Sequence, residues 1–249
     1  MKTALLLTGN PRFSVDFDSQ LENLQNSDID IYIVLWRRPE GADPKISPNW
    51  CNLQDGKQVI EKIKDHLPRR YSVAYSEVLD PTNFLNLPRE YEPFNSTPLN
   101  VWQQYTILKY CDSKRKQMGD YNLIVRSRPD LGLSHPIDLQ LAYSSLENWP
   151  NIIYTPNNQR YGYTVDVGNG YMSGFNDQFA IGRPEVMEIY TNAIDHFDDL
   201  YKSGTKYNPE YLVQTLLRCH GVVWPPTSWQ IVRDAAHYQP IEHGKWSNV

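Results

Sequence analysis

Three short apolar runs limit what this chain can fold into: TALLLT at residues 3–8, IDIYIVLW at 29–36 and YNLIVR at 121–126. Each has the length of a strand, and the first is closed by a Gly-Asn-Pro turn signal. The second and third are rich in β-branched and aromatic residues, as buried strands are. Stretches with helical spacing separate them. Alternating strands and helices imply an α/β fold with a mostly parallel central sheet flanked by helices, and such sheets bind ligands beyond the carboxyl ends of their strands.

Val15, Phe17, Leu21 and Leu24 predict a helix over 14–26 with Ser14 as its cap. Pro39, Pro44 and Pro48 mark a loop, followed by a helix at 58–66 and a strand at 71–75. Prolines 81, 88, 93 and 98 forbid long elements between 79 and 98, which predicts a surface excursion before a long helix at 99–117. The second half predicts strands at 152–154, 178–181 and 222–224, and helices at 184–201 and 209–219. With no internal repeat and no low-complexity linker, residues 1–249 read as one domain.

Composition narrows the partners. Hydrophobic residues at 40% supply a core, and a formal net charge of -5 opposes attraction to nucleic acid or an anionic bilayer. Any phosphate contact must then come from a few local arginines. Cys51, Cys111 and Cys219 have no CxxC spacing, which argues against a zinc knuckle or disulfide framework. The run at 3–8 is too short for a signal-peptide core or a membrane span, so the expected location is cytoplasmic with no integral membrane segment.

The chemistry concentrates where the third run ends, at Arg126-Ser127-Arg128-Pro129-Asp130. In a strand, residues two apart face the same way, so Arg126 and Arg128 could clamp a diphosphate while Asp130 meets a ribose hydroxyl or a shared cation. The same residues read equally as a surface turn whose arginines pair with acids. Arg12 follows the first strand at Thr8-Gly9-Asn10-Pro11 and belongs to the same edge. Asp177 precedes a strand beside Gly168, Gly170 and Gly174, as either a general base or a turn residue. Asp166 and Glu210 are further acids with access to that region. His196 in its acidic run reads as a solvated helix face, and His237 and His243 as a packed or frayed tail.

Thr8-Gly9-Asn10-Pro11-Arg12, YNLIVRSRPDL, the segment Asn176 to Gly182 and a Pro-Glu-led helix together resemble small GT-A-type glycosyltransferase-like proteins of bacterial and viral glycan-synthesis loci. The resemblance implies a GT-A-like, Rossmann-like domain with a nucleotide-binding half at 1–130 and an acceptor-side half at 131–249. It implies a nucleotide sugar as donor, held by Thr8, Gly9, Arg12, Arg126, Arg128 and Asp130, and a carbohydrate hydroxyl as acceptor, near Asp166, Gly170 and Glu210. Asp177 would serve catalysis. Arg128-Pro129-Asp130 aligns with the family's Asp-x-Asp metal site but is acidic only at its last position, which weakens the expectation of Mg²⁺ or Mn²⁺ at Asp130. Two other functions fit the residues: a sulfotransferase, from the loop at 8–14, and a non-catalytic carbohydrate- or nucleotide-binding protein that keeps the fold.

Overall fold

The computed structural model describes residues 1–13, 17–37, 55–84, 87, 89–93, 97–156, 175–225, 227–229 and 231–232. Its frame is a six-stranded sheet. The strands of that sheet are β1 (Lys2–Gly9), β3 (Asp28–Trp36), β4 (Tyr71–Leu79), β5 (Leu123–Ser127), β8 (Ile153–Tyr154) and β9 (Ala180–Gly182). Two-residue strands β2 (Leu24–Gln25), β6 (Gly132–Leu133), β7 (Ile137–Asp138) and β10 (Ile231–Val232) form small side pairs, β2 with β7 and β6 with β10.

The order across the sheet is β4-β3-β1-β5-β9-β8. β4, β3, β1 and β5 run parallel, whereas β9 runs antiparallel to both of its neighbours. The predicted mostly parallel α/β sheet is therefore present. The strand predicted at 71–75 extends to Leu79, with a register shift against β3 at Ile31/Tyr32.

Helices cover both faces because the strands are apolar on both. Ala4, Leu6 and Ile124 pack under α3 (Pro98–Met118), α5 (Pro184–Thr191) and α7 (Pro209–Cys219). The alternate residues Leu5, Leu7 and Val125 pack under α1 (Phe17–Asn23), α2 (Gly56–Asp65) and α4 (Leu139–Asn148). Burying each such leucine contributes roughly 1.5–3 kcal/mol. The helix starts are chemically specified: Thr97 caps α3 by accepting from Asn100 N, and Asn208 caps α7 by accepting from Tyr211 N, each with proline at the next position.

Two elements depart from the sequence reading. The helix predicted over 184–201 breaks at Asn192 into α5, a 3-10 turn at Ala193–His196 and α6 (Phe197–Lys202). The Asn192 Nδ2 donates to the Glu188 carbonyl at 3.0 Å and shares that acceptor with the Asn192 backbone N–H, and such back-bonding competes with the helix ladder. The strand predicted at 222–224 reduces to a single parallel bridge between Val223 and Ile152. The predicted cap Ser14 and the glycines at 168–174 lie outside the described residues. Among the described residues, no helix is long and apolar enough to cross a membrane.

Candidate active site at the carboxyl edge

Parallel strands β1 and β5 end side by side, with Leu7 opposite Ser127, so Thr8, Gly9 and the turn after Ser127 share one edge. Gly9 has φ +138°, a conformation that side chains resist, and a Cβ there would lie 3.9 Å from Cγ of Arg128. Arg12 follows in a turn whose N–H donates to the Asn10 carbonyl at 2.8 Å. Thr8 is buried, and its hydroxyl has no hydrogen-bond partner among the described residues.

The turn after β5 is held from beneath by α1. Gln20 Nε2 donates to the carbonyls of Arg128 at 3.3 Å and Leu131 at 2.8 Å, and Asn23 Nδ2 donates to that of Leu133 at 2.7 Å. The sequence reading assigned neither residue a role.

The two arginines of this segment have different partners and do not form the parallel clamp expected from period-two alternation. Arg126 lies inside β5, is 1% exposed, and spends Nη1 on the Asp177 carbonyl at 2.5 Å. Arg128 lies beyond the strand's end and grips Asp130 with two bonds, Nε to Oδ1 at 2.8 Å and Nη2 to Oδ2 at 2.6 Å. The reading of this turn as arginine paired with acid thus describes Arg128, while Arg126 is a buried strut.

That arrangement also tests Asp130 as a cation ligand. Both of its carboxylate oxygens already face a guanidinium, and a metal ion bound there would meet like charge, so the residues present do not fit one.

Asp177 reaches this edge because β9 runs backwards. Ala180 pairs with Arg126, so the turn entering β9 lies where β5 ends. Asn176 builds the turn by accepting from Gln178 N at 2.9 Å, which delays the strand predicted from 178 until Ala180. The Asp177 side chain is buried, with Oδ2 accepting from Gln104 Nε2 of α3 at 2.5 Å. Its carbonyl accepts from Arg126 and, at 2.7 Å, from the Tyr190 hydroxyl of α5.

Glu210, in the first turn of α7, joins this cluster. Burial, and next the charge of Asp177, push its carboxyl up to about 8. Its Oε2 is sealed from solvent and has no hydrogen-bond partner among the described residues, as is Oε1 of Gln214 one turn later. Tyr105 and Tyr190 wall the cluster, and burial drives both phenols above their ordinary value. The structure therefore brings Asp177, Glu210 and Arg126 together, with Thr8, Gly9, Arg12, Arg128 and Asp130 on the same edge. Asp166 and Gly170 lie outside the described residues.

Gln104 was not singled out by the sequence reading, although a signal exists. It falls at helical spacing between the buried Val101 and Leu108, a polar residue on a stripe that is otherwise apolar there. At the opposite, amino edge, a cavity of about 590 Å³ is lined by Glu22, Asp28 and Arg70. Its Arg70 Nη2 is committed to the carbonyls of Leu21 and Leu24, which makes it a structural cap for the end of α1.

No family model matches the sequence, and no curated protein matches it. Among solved structures, the chain is similar to the apo crystal structure of mouse xyloside xylosyltransferase 1, with 9% sequence identity and a TM-score of 0.46 over 91% of this chain and 85% of that one.

Proposed function

We propose that the chain transfers a glycosyl group from a nucleotide sugar to a hydroxyl of a carbohydrate acceptor. One observation carries this reading: a buried carboxylate, Asp177, held by Gln104 at the same sheet edge as Thr8, Gly9, Arg12 and Arg128. A carboxylate whose orientation is fixed suits a general base, and arginines a few residues beyond a parallel strand suit a diphosphate.

In the proposed reaction Asp177 takes the acceptor's hydroxyl proton while that oxygen forms a bond to the donor's anomeric carbon. The bond from that carbon to the diphosphate breaks, and the leaving group carries away the electron pair. Arg12 and Arg128 offset the charge that develops on it. Arg128 would exchange Asp130 for phosphate on binding, and Asp130 would then be available to a ribose hydroxyl. No step is assigned to a metal ion, because Arg128-Pro129-Asp130 is acidic only at its last position.

The mutual pairing of Arg128 and Asp130 also suits a second reading, a protein that binds carbohydrate or nucleotide without turnover. Thermal-shift measurements with UDP, GDP, CMP and PAP, followed by a turnover assay with the sugar conjugate of the nucleotide that binds, separate these functions. Stabilisation by one nucleoside phosphate together with sugar transfer is the expected result. Binding without hydrolysis or transfer would select the second reading, and stabilisation by PAP alone would select sulfate transfer.

A further inference from the structure

We infer that Tyr190 is a positioning residue for the proposed base: with Arg126 it locks the peptide group between Asp177 and Gln178, and so fixes where the Asp177 carboxylate points. The consequence for turnover rests on the glycosyl-transfer reading; the lock itself does not.

That peptide group is held at both of its polar ends. At the carbonyl, the Tyr190 hydroxyl of α5 donates to the Asp177 oxygen at 2.7 Å, and Arg126 Nη1 of β5 donates to the same oxygen at 2.5 Å. At the amide, the Gln178 N–H donates to Asn176 Oδ1 at 2.9 Å. One bond satisfies a buried carbonyl, although its oxygen has two lone pairs, so the second donor adds orientation. The six atoms of a peptide group share a plane that includes the preceding Cα. Holding both ends therefore holds the Asp177 Cα, from which the side chain springs. Gln104 Nε2 of α3 then holds Oδ2 at the far end of that side chain. Donors from α3, β5 and α5 converge on the one residue.

Packing alone does not require the Tyr190 hydroxyl. Its ring lies 6.1 Å from that of Tyr105 and 5.7 Å from that of Phe175, centroid to centroid, and a phenylalanine would make the same contacts. The hydroxyl is what a phenylalanine lacks, and it is committed to the residue that carries the carboxylate. Arg126, 1% exposed, supplies the second bond with a permanent charge, which makes it the stronger of the two. Tyr190 supplies direction from the opposite element, so the carbonyl cannot swing about the Arg126 bond alone.

The lock is read without any substrate, by amide hydrogen exchange of the full chain. In Y190F the Gln178 amide should exchange about tenfold faster, while the amides of β1 and β3 keep their rates. Unchanged exchange at Gln178 would overturn the lock. For turnover, Y190F should lower kcat about tenfold and leave nucleotide affinity unchanged. It should cost nothing further in a D177N background, because both substitutions act through one carboxylate. An equal fold-loss in the two backgrounds, as a merely structural hydroxyl would give, overturns the positioning role.

If Y190F does not fold, R126K provides the same two readouts, since lysine keeps the charge but not the planar fork. Faster exchange at Gln178 and a kcat loss absent from the D177N background are again expected, and their absence overturns the inference. Lack of turnover in the wild type would sink the transfer reading and leave the exchange test of the lock standing.

Discussion

Gln104, in the second turn of α3, donates from Nε2 to Oδ2 of Asp177 across 2.5 Å. A capped helix that spans the sheet thereby fixes one oxygen of the buried carboxylate and leaves the other for chemistry. Gln104→Leu should lower kcat about tenfold through lost orientation, with nucleotide affinity unchanged, because an oriented base contributes only to the transition state. Steady-state kinetics would check this, and a loss confined to KM would remove the positioning role.

Asp177→Asn keeps the side chain's shape and both bonds to its backbone carbonyl. Nucleotide affinity should survive while turnover falls by about 10²–10⁴, the usual worth of general-base assistance. Isothermal titration beside a turnover assay checks both quantities, and a fall of only a few-fold would reduce Asp177 to positioning.

Arg128→Ala removes the partner of both Asp130 oxygens. It should weaken nucleotide binding by about 1–3 kcal/mol through loss of a charge-assisted bond. Wild-type activity should fall less in EDTA than that of a transferase with a full Asp-x-Asp, since Arg128-Pro129-Asp130 is acidic only at its last position. Unchanged affinity in the variant would take Arg128 out of the site, and complete loss in EDTA restored by Mn²⁺ would show that other acids build a metal shell.

The strands were legible in the sequence because burial on both faces writes them as continuous apolar runs, as at Leu5 to Leu7 and Ile31 to Leu35. The break at Asn192 was hidden because Val186, Tyr190, Ile194 and Phe197 keep near-helical spacing across it, while the interruption coincides with the Asn192 side-chain bond to Glu188. In the site, Arg128 and Asp130 could be read as a pair from their spacing. The buried role of Arg126 could not, since it depends on Asp177 arriving from a strand far along the chain. Glu210 appeared only as one acid among several, because its environment comes from residues that α7's own sequence does not contain.

Away from the site, Asp112 and Arg115 form a buried ion pair at 2.7 Å inside α3, and the Thr191 hydroxyl of α5 donates to Asp112 at 2.8 Å. Asp112→Ala should destabilise the fold by about 3–5 kcal/mol, because it leaves the Arg115 charge uncompensated in the core. Urea unfolding measures this, and a change below about 1 kcal/mol would mean that Arg115 finds another partner.

The sheet order imposes a schedule on folding. β1 sits near the middle of the sheet, yet Leu5 lies against Val125, so during synthesis β1, β3 and β4 must wait for most of the first half of the chain before that edge is covered. Until then an apolar strand edge is open to other chains. Asp177 is delivered later still, when β9 docks on β5. The nascent protein can therefore own a nearly complete sheet before it owns its carboxylate. Refolding followed by tryptophan fluorescence and by turnover should show structure returning ahead of activity, and simultaneous recovery would mean that the sheet forms in one step.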